Sequence, residues 1–221
     1  MQNLKIGNLS KEEVYTLIKS KFNGCKTIPY SKDDYVFNHN TGYEGALSII
    51  KDGILSYDER YKRGILKEQP KVFNDVNGSE YISVSKEEYD EYDPDGDNFY
   101  YEYNRPNYVN FVIDENIRKI KTVLRNSRNY SNEYLIPGNV SLEYIKCIEF
   151  RFLELIRILS MDKTKELDEF YNYVLTCYNH FIECVEYMVY NNINIPIIEA
   201  SGEEMMVLDK QKILSMEKIV K

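Results

Sequence analysis

Between residues 35 and 150, short apolar runs of strand length alternate with polar segments along the chain. Runs of this length, bounded by turn-forming residues, are typical of buried or half-buried β-strands. The predicted strands span residues 35–37, 81–85, 108–113, 132–136 and 145–150; a polar turn is predicted after the first, over 39–42, and the last is expected to close the sheet. The connecting segments 57–80 and 86–106 are predicted to be a long loop and an exposed acidic, tyrosine-rich insertion.

Helical periodicity is found before, between and after these strands. Ser10 and Glu13 form a capping-box pattern ahead of an apolar helical face, so a helix is predicted over residues 10–22. Gly53 fits the end of a second helix over 43–52, and Asp162 is the predicted cap of a long helix over 163–191. The sequence therefore predicts an α+β domain over residues 1–150 and a helical extension, with one short strand near its end, over 151–221.

The charge balance argues against one class of function. With 36 acidic and 28 basic residues the net charge is −8, whereas non-specific nucleic-acid binding depends on lysines and arginines that neutralise phosphates. A basic stretch at 118–128 is interpreted as a solvated helix face and loop. The 21 tyrosines, among many lysines, asparagines and isoleucines, indicate an AT-rich genome such as that of a low-GC bacterium or its phage.

The cysteines and the hydropathy indicate a cellular compartment. The four cysteines lack CxxC spacing, and no apolar signal-peptide core follows the first residues, so a reduced, cytoplasmic protein is expected. No run approaches the roughly 20 apolar residues that a membrane-spanning helix needs. We therefore expect no membrane association.

Two segments carry a pattern of known chemistry. The first is HNTGYEGALSIIKDGIL, which starts at His39, and the second is NEYLIPGNVSLEYIKCI, which contains Glu133. In this order, with the strand 81–85 between them, they resemble the His-type ADP-ribosyltransferase superfamily, which includes poly-ADP-ribose polymerases, tRNA 2′-phosphotransferases and DarT-like enzymes. The resemblance covers about half of the chain and implies a split antiparallel β-sheet that binds NAD as a substrate.

The resemblance also implies roles for individual residues. His39 would hydrogen-bond a ribose hydroxyl of NAD, and the backbone at Thr41 and Gly42 would approach the nicotinamide. Glu133 would be the catalytic carboxylate, which binds the ribose 2′-hydroxyl and stabilises the positive charge that develops as nicotinamide leaves. Glu203 or Glu204, which precede another apolar run, are rival candidates for this catalytic role.

Other positions are assigned to the cofactor pocket by the same resemblance. Ser83 and Ser85 match a polar strand beside the nicotinamide, and a tyrosine, Tyr81 or Tyr89, would stack on a ring. A guanidinium suits phosphate oxygens, so Arg60 or Arg63 is assigned to the pyrophosphate. These assignments complete the predicted NAD-binding set.

Two metal-like patterns are set aside. Residues 91–102 place acids at several positions of a calcium loop, but proline and asparagine occupy positions that do not fit. Cys177, His180 and Cys184 share one helical face without a fourth ligand, so a core-facing stripe is the preferred interpretation. No metal site is predicted.

The preferred hypothesis is an NAD-dependent ADP-ribosyltransferase that modifies a macromolecular acceptor, with protein favoured over nucleic acid. A phage or bacterial origin would place it in a conflict with host defence, as a toxin or an anti-defence protein. The alternative is a non-catalytic acidic protein that occupies a basic or nucleic-acid-binding site on a host complex through residues 86–106. A tRNA 2′-phosphotransferase ranks last because few cations are available for the phosphate.

Overall fold

A nine-stranded sheet forms the centre of the computed structural model, which describes residues 4–29, 37–68, 79–85, 108–125, 133–201, 204–215 and 219–220. The strands are β1 (Leu4–Lys5), β2 (Lys26–Pro29), β3 (Phe37–Gly42), β4 (Ile54–Leu55), β5 (Tyr81–Ser85), β6 (Tyr108–Ile113), β7 (Leu124–Arg125), β8 (Glu133–Pro137), β9 (Asn139–Val140), β10 (Ile145–Phe150), β11 (Ile197–Ser201), β12 (Glu204–Val207) and β13 (Ile219–Val220). The large sheet has the order β2-β12-β11-β10-β6-β3-β5-β8-β7, and the pairs β1-β13 and β4-β9 lie outside it.

The large sheet is antiparallel except at one position. Strands β10 and β11 run parallel, with Ile148 paired to Ile197. A parallel pair needs a crossover connection, and the two long C-terminal helices supply it. The protein is therefore an α+β fold with a large, mostly antiparallel sheet.

The pairing between β3 and β5 is short, and we call this junction within the nine-stranded sheet the split. Strand β3 pairs with β6 along its whole length, and β5 pairs with β8 from Tyr81 to Ser85. Within these described strands, β3 and β5 pair only at Asn38 and Ser85. Beyond this pair, the Ser83 carbonyl of β5 is contacted by the His39 side chain of β3.

The helices are α1 (Lys11–Lys21), α2 (Tyr43–Asp52), α3 (Tyr57–Lys62), α4 (Phe152–Met161), α5 (Leu167–Tyr190) and α6 (Lys210–Ser215). The predicted capping box of α1 is confirmed, because Ser10 Oγ accepts from the Glu13 amide at 3.2 Å and Glu13 Oε2 accepts from the Ser10 amide at 2.6 Å. Gly53 ends α2 with φ of 79°. Both boundaries follow from local capping chemistry that the sequence makes visible.

One face of the sheet carries the main hydrophobic core. Phe37, Phe111 and Phe150 belong to it, and the buried faces of α1, α2, α4, α5 and α6 pack on them. The ring of Phe150 lies 4.8 Å from that of Phe181 in α5, centroid to centroid. The residues that alternate with the main core along the strands point to the other face of the sheet. There they form a smaller cluster of Ile28, Val112, Cys147, Ile198, Ala200 and Met205.

Several predicted elements need correction. Residues 39–42 are the continuation of β3 rather than a polar turn, and the long loop predicted over 57–80 begins with α3. Strand β10 does not close the sheet, because β11 pairs with it on the side away from β6. Helix α5 begins at Leu167, since Asp162 Oδ1 accepts from the Thr164 amide in the loop between α4 and α5. The predicted insertion 86–106 lies outside the described residues.

The segments on the two sides of residue 151 share the sheet and the core. Strands β11 and β12 extend the large sheet beyond β10, and β12 pairs with β2 from the N-terminal part. The division into residues 1–150 and 151–221 stays a prediction. Among the described helices, none has the length and apolar character needed to cross a bilayer.

Candidate functional site

Ser83 contacts two of the predicted site residues with two different groups. His39 Nδ1 lies 3.0 Å from the Ser83 carbonyl oxygen. The Ser83 hydroxyl donates a hydrogen bond to Glu133 Oε1. His39, Ser83 and Glu133, which come from three adjacent strands, thus form one connected set at the split of the sheet.

The contact with Ser83 determines which nitrogen of the His39 ring carries a proton in the neutral form. A carbonyl oxygen only accepts, so Nδ1 must donate, and Nε2 of a neutral ring is then left with its lone pair. Burial lowers the pKa of His39 below 6.5, against the opposing effect of the hydrogen bond to Ser83. The neutral ring therefore offers a hydrogen-bond acceptor at Nε2.

The alternation of strands β5 and β8 explains why Ser83 and Glu133 meet. Ser85 lies directly opposite Glu133, and Ser83 is its diagonal neighbour on the same face. The intervening side chains Ile82, Val84, Tyr134 and Ile136 are buried in the main core. The alternation of β5, which the sequence YISVS predicts, and the register of its pairing with β8 therefore direct the two serines and the glutamate to one face.

Thr41 and Gly42 lie where β3 ends and α2 begins. The Thr41 hydroxyl lies against Gly45 in the first turn of α2, so close that a β-carbon there would collide with it. Gly42 has φ of −66°, an extended conformation that any residue adopts. The backbone at position 42 therefore does not require glycine, and a side chain there would collide with the neighbouring Glu44 carboxylate.

The outer members of the predicted set lie further from Ser83. Tyr81 is half-buried at the opposite end of β5, paired with Pro137. Arg60 belongs to α3, where its guanidinium carbon lies 5.9 Å from the centre of the Tyr57 ring. Arg63 caps the C-terminus of the same helix and is exposed. The contacts described for these residues are with other parts of the chain, and Tyr89 falls outside the described residues.

The positions of the rival glutamates differ from that of Glu133. Glu204 begins β12, which is four strands from β3 in the sheet order, roughly 19 Å at the usual spacing of about 4.8 Å. Glu133 is two strands from β3, with Ser83 between them. Glu203 lies outside the described residues. The sheet order therefore favours Glu133 as the partner of His39.

Three polar residues near the split were not predicted from the sequence. Asn110 Nδ2 lies 3.2 Å from Asn38 Oδ1 and 2.7 Å from Glu149 Oε2. Asn110 interrupts the apolar run YVNFVI and Glu149 the run IKCIEF, and Asn38 precedes His39. A polar residue inside an otherwise buried strand is the sequence signal that identifies such a group.

Arg118 is a further residue near the split for which the sequence predicted no specific contact. Its guanidinium carbon lies 4.9 Å from the centre of the Phe37 ring and 5.8 Å from that of Tyr134, which come from the two halves of the split sheet. A guanidinium stacked on aromatic faces keeps its edge available for hydrogen bonds. This residue belongs to the basic stretch 118–128, of which residues 126–128 are outside the description.

The metal-like patterns do not form a site in the described residues. Cys177 and Cys184 are buried in the core on α5, and burial raises their thiol pKa values to about 11 and about 12. His180 Nδ1 lies 3.4 Å from Glu183 Oε2 on the same helix. No group of three or more metal-ligating side chains occurs in the described part of the chain. The calcium-like loop 91–102 lies outside it.

No protein-family model matches the chain, and neither a curated protein nor a solved structure matches it.

Proposed function

We propose that this protein is an NAD-dependent ADP-ribosyltransferase that transfers ADP-ribose to a macromolecular acceptor. The observation that carries the proposal is the connection of His39 and Glu133 through Ser83 at the split of the sheet. The resemblance in sequence singles out the same histidine and glutamate for NAD, and they lie 94 positions apart in the chain.

The hydrogen-bonding character of the site fits the ribose part of NAD. Nε2 of neutral His39 accepts a hydrogen bond, and the Glu133 carboxylate also accepts, so both suit hydroxyl donors. Ser83 orients the carboxylate through its own hydroxyl. Ser83 therefore holds the His39 ring through its carbonyl and the Glu133 carboxylate through its hydroxyl, so each acceptor is fixed before a hydroxyl-bearing ligand binds.

The chemistry follows from the charge of Glu133. As the bond between the nicotinamide nitrogen and the ribose carbon breaks, the electron pair stays on nicotinamide and positive charge develops on the sugar. A carboxylate at the ribose 2′-hydroxyl stabilises that charge. The acceptor then donates an electron pair to the same carbon and loses a proton, for which Glu133 serves as the base.

We propose a protein acceptor rather than a nucleic acid. The net charge of −8 opposes association with phosphate backbones, which is driven by cationic side chains. Arg118, which stacks on Phe37 beside the split, suits a phosphate group of limited extent such as the NAD pyrophosphate. A local cation can therefore bind the phosphates of NAD, while the negative charge of the whole chain disfavours a nucleic acid as the acceptor.

The decisive experiment incubates the purified protein with NAD and measures released nicotinamide by chromatography, together with labelling of a bacterial lysate by biotinylated NAD. Glu133→Gln should lower nicotinamide release by roughly 1,000-fold, because it removes the charge that stabilises the transition state. Glu204→Gln is the matched control and should keep the activity. Ser83→Ala should give an intermediate loss of roughly 10-fold to 100-fold.

The proposal fails if the wild-type protein neither releases nicotinamide nor labels any component. The non-catalytic alternative would then be tested by deleting residues 86–106, which supply its acidic surface in sequence. Under that alternative the deletion abolishes the biological effect, whereas Glu133→Gln leaves it unchanged. Under the enzymatic proposal Glu133→Gln abolishes the effect.

A further inference from the structure

Three polar side chains form a row across the three adjacent strands β10, β6 and β3. Glu149 and Asn110 are directly paired, and Asn110 Nδ2 donates to Glu149 Oε2 at 2.7 Å and to Asn38 Oδ1 at 3.2 Å. Glu149 is 1% exposed and Asn38 is 4% exposed. We call Asn38, Asn110 and Glu149 the buried polar row.

The buried polar row lowers the stability of the fold. It shares its face of the sheet with Val112 and Cys147, which belong to the smaller apolar cluster. Among the described residues, Asn110 Oδ1 is buried and has no hydrogen-bond partner, which costs about 1–3 kcal/mol. Replacing a buried polar network by apolar residues of similar volume is often neutral or stabilising. The row therefore needs an explanation other than stability.

The row ends at the point where the sheet splits. Asn38 supplies the β3 side of the pair with Ser85. The Ser85 hydroxyl lies 3.5 Å from the Asn38 carbonyl oxygen, and Ser85 is directly opposite Glu133 on β8. The next residue of β3 is His39, whose ring contacts the carbonyl of Ser83. A shift of Asn38 would therefore move His39 relative to Ser83 and Glu133.

We propose that the buried polar row is a positioning network, which holds β3 against β5 and so sets the distance between His39 and Ser83. Asn38, Asn110 and Glu149 are positioning residues, because they act through the strand and not on the substrate. Their effect on the position of His39 is independent of the reaction, and only their effect on turnover rests on the proposed function.

The test uses the tautomer of His39, which nitrogen-15 NMR of the ring reports directly. In the wild-type protein the neutral ring is expected with its proton on Nδ1, held by the Ser83 carbonyl. The double variant Asn110→Val with Glu149→Leu replaces the network by apolar groups. We expect it to fold and to lose the Nδ1 proton in favour of Nε2, while the signals of His180, the second histidine of the chain, stay unchanged.

The matched control is Glu199→Gln. Glu199 is also a buried carboxylate, on the neighbouring strand β11, but it accepts from the Phe152 and Leu153 amides at 3.2 and 3.0 Å and so caps α4. This variant should melt at a lower temperature and keep the wild-type tautomer of His39. The contrast separates a positioning carboxylate from a stabilising one.

Turnover adds a second readout. The double variant should lower kcat for nicotinamide release by roughly 10-fold to 100-fold, because a small displacement of a catalytic group has effects of this size. If the double variant folds and keeps the wild-type tautomer, the positioning proposal is overturned. If it does not fold, Asn38→Ala decides by the same NMR readout. If the double variant changes the tautomer but the wild-type protein never releases nicotinamide, the positioning proposal is supported and the proposed function is contradicted.

Discussion

At the scale of single residues, Ser83 connects the candidate site through one backbone group and one side-chain group. Its carbonyl, which every residue possesses, accepts from His39, and its hydroxyl donates to Glu133. A substitution of the side chain therefore affects the glutamate and leaves the histidine contact in place. Substitution of Ser83 thus perturbs Glu133 without perturbing His39.

The protonation of His39 predicts how stability depends on pH. Burial lowers its pKa in the folded state below 6.5, so the unfolded chain binds a proton first as the pH falls. The stability that the neutral ring contributes is complete above the unfolded pKa and is lost as the pH decreases below it. Between about pH 7.5 and about pH 5.5, His39→Gln should therefore lose less free energy of unfolding than the wild-type protein.

Urea denaturation at both pH values measures this difference. The carboxylates titrate in both proteins, so subtracting the two pH dependences isolates the contribution of His39. An equal loss in the two proteins would show that the ring is as readily protonated in the folded state as in the unfolded chain.

At the scale of elements, the junction of α2 with β4 depends on Gly53. Its φ of 79° and ψ of 179° belong to a region that is nearly exclusive to glycine, and a β-carbon there would lie 2.5 Å from the Val140 carbonyl oxygen. Gly53→Ala should destabilise the protein by about 3 kcal/mol, because backbone strain and a collision add. The junction determines where α2 ends and β4 begins.

Gly64→Ala is the matched control for this prediction. Gly64 also has a positive φ, of 71°, but nothing lies within 4 Å of a β-carbon built there. Its substitution should cost only about 1 kcal/mol, the conformational part alone. Equal changes in the midpoint of thermal unfolding for the two variants would contradict the predicted collision at Gly53.

Most elements could be predicted because their signals are local. The Ser10 capping box, the stop at Gly53 and the alternation of residues 81–85 all appear in the structure. The turn predicted at His39 was wrong, because pairing with β6 extends the strand through polar residues that would favour a turn in isolation. Pairing partners are a tertiary property, and for the same reason the link from Asn38 to Glu149 could not be predicted from spacing.

At the scale of the whole molecule, the main core depends on residues after position 150. Helix α5 buries Val174, Phe181 and Val185 against it, and Glu199 of β11 caps α4. A chain that ends at residue 150 should therefore remain unfolded, since its main apolar face would be exposed to water. Circular dichroism during heating checks this, and a cooperative transition in the shortened chain would show that the division at residue 151 is a true domain boundary.

Strand β2 has a partner that is distant in the chain. Its residues 26–29 pair with 204–207 of β12, whereas the strands that carry His39, Ser83 and Glu133 lie within residues 37–137. During synthesis on the ribosome the N-terminal part of the chain emerges first, so β2 remains unpaired until β12 has been synthesised. The strands of the site are complete much earlier, so the region proposed to bind NAD can begin to assemble before the edge of the sheet is covered.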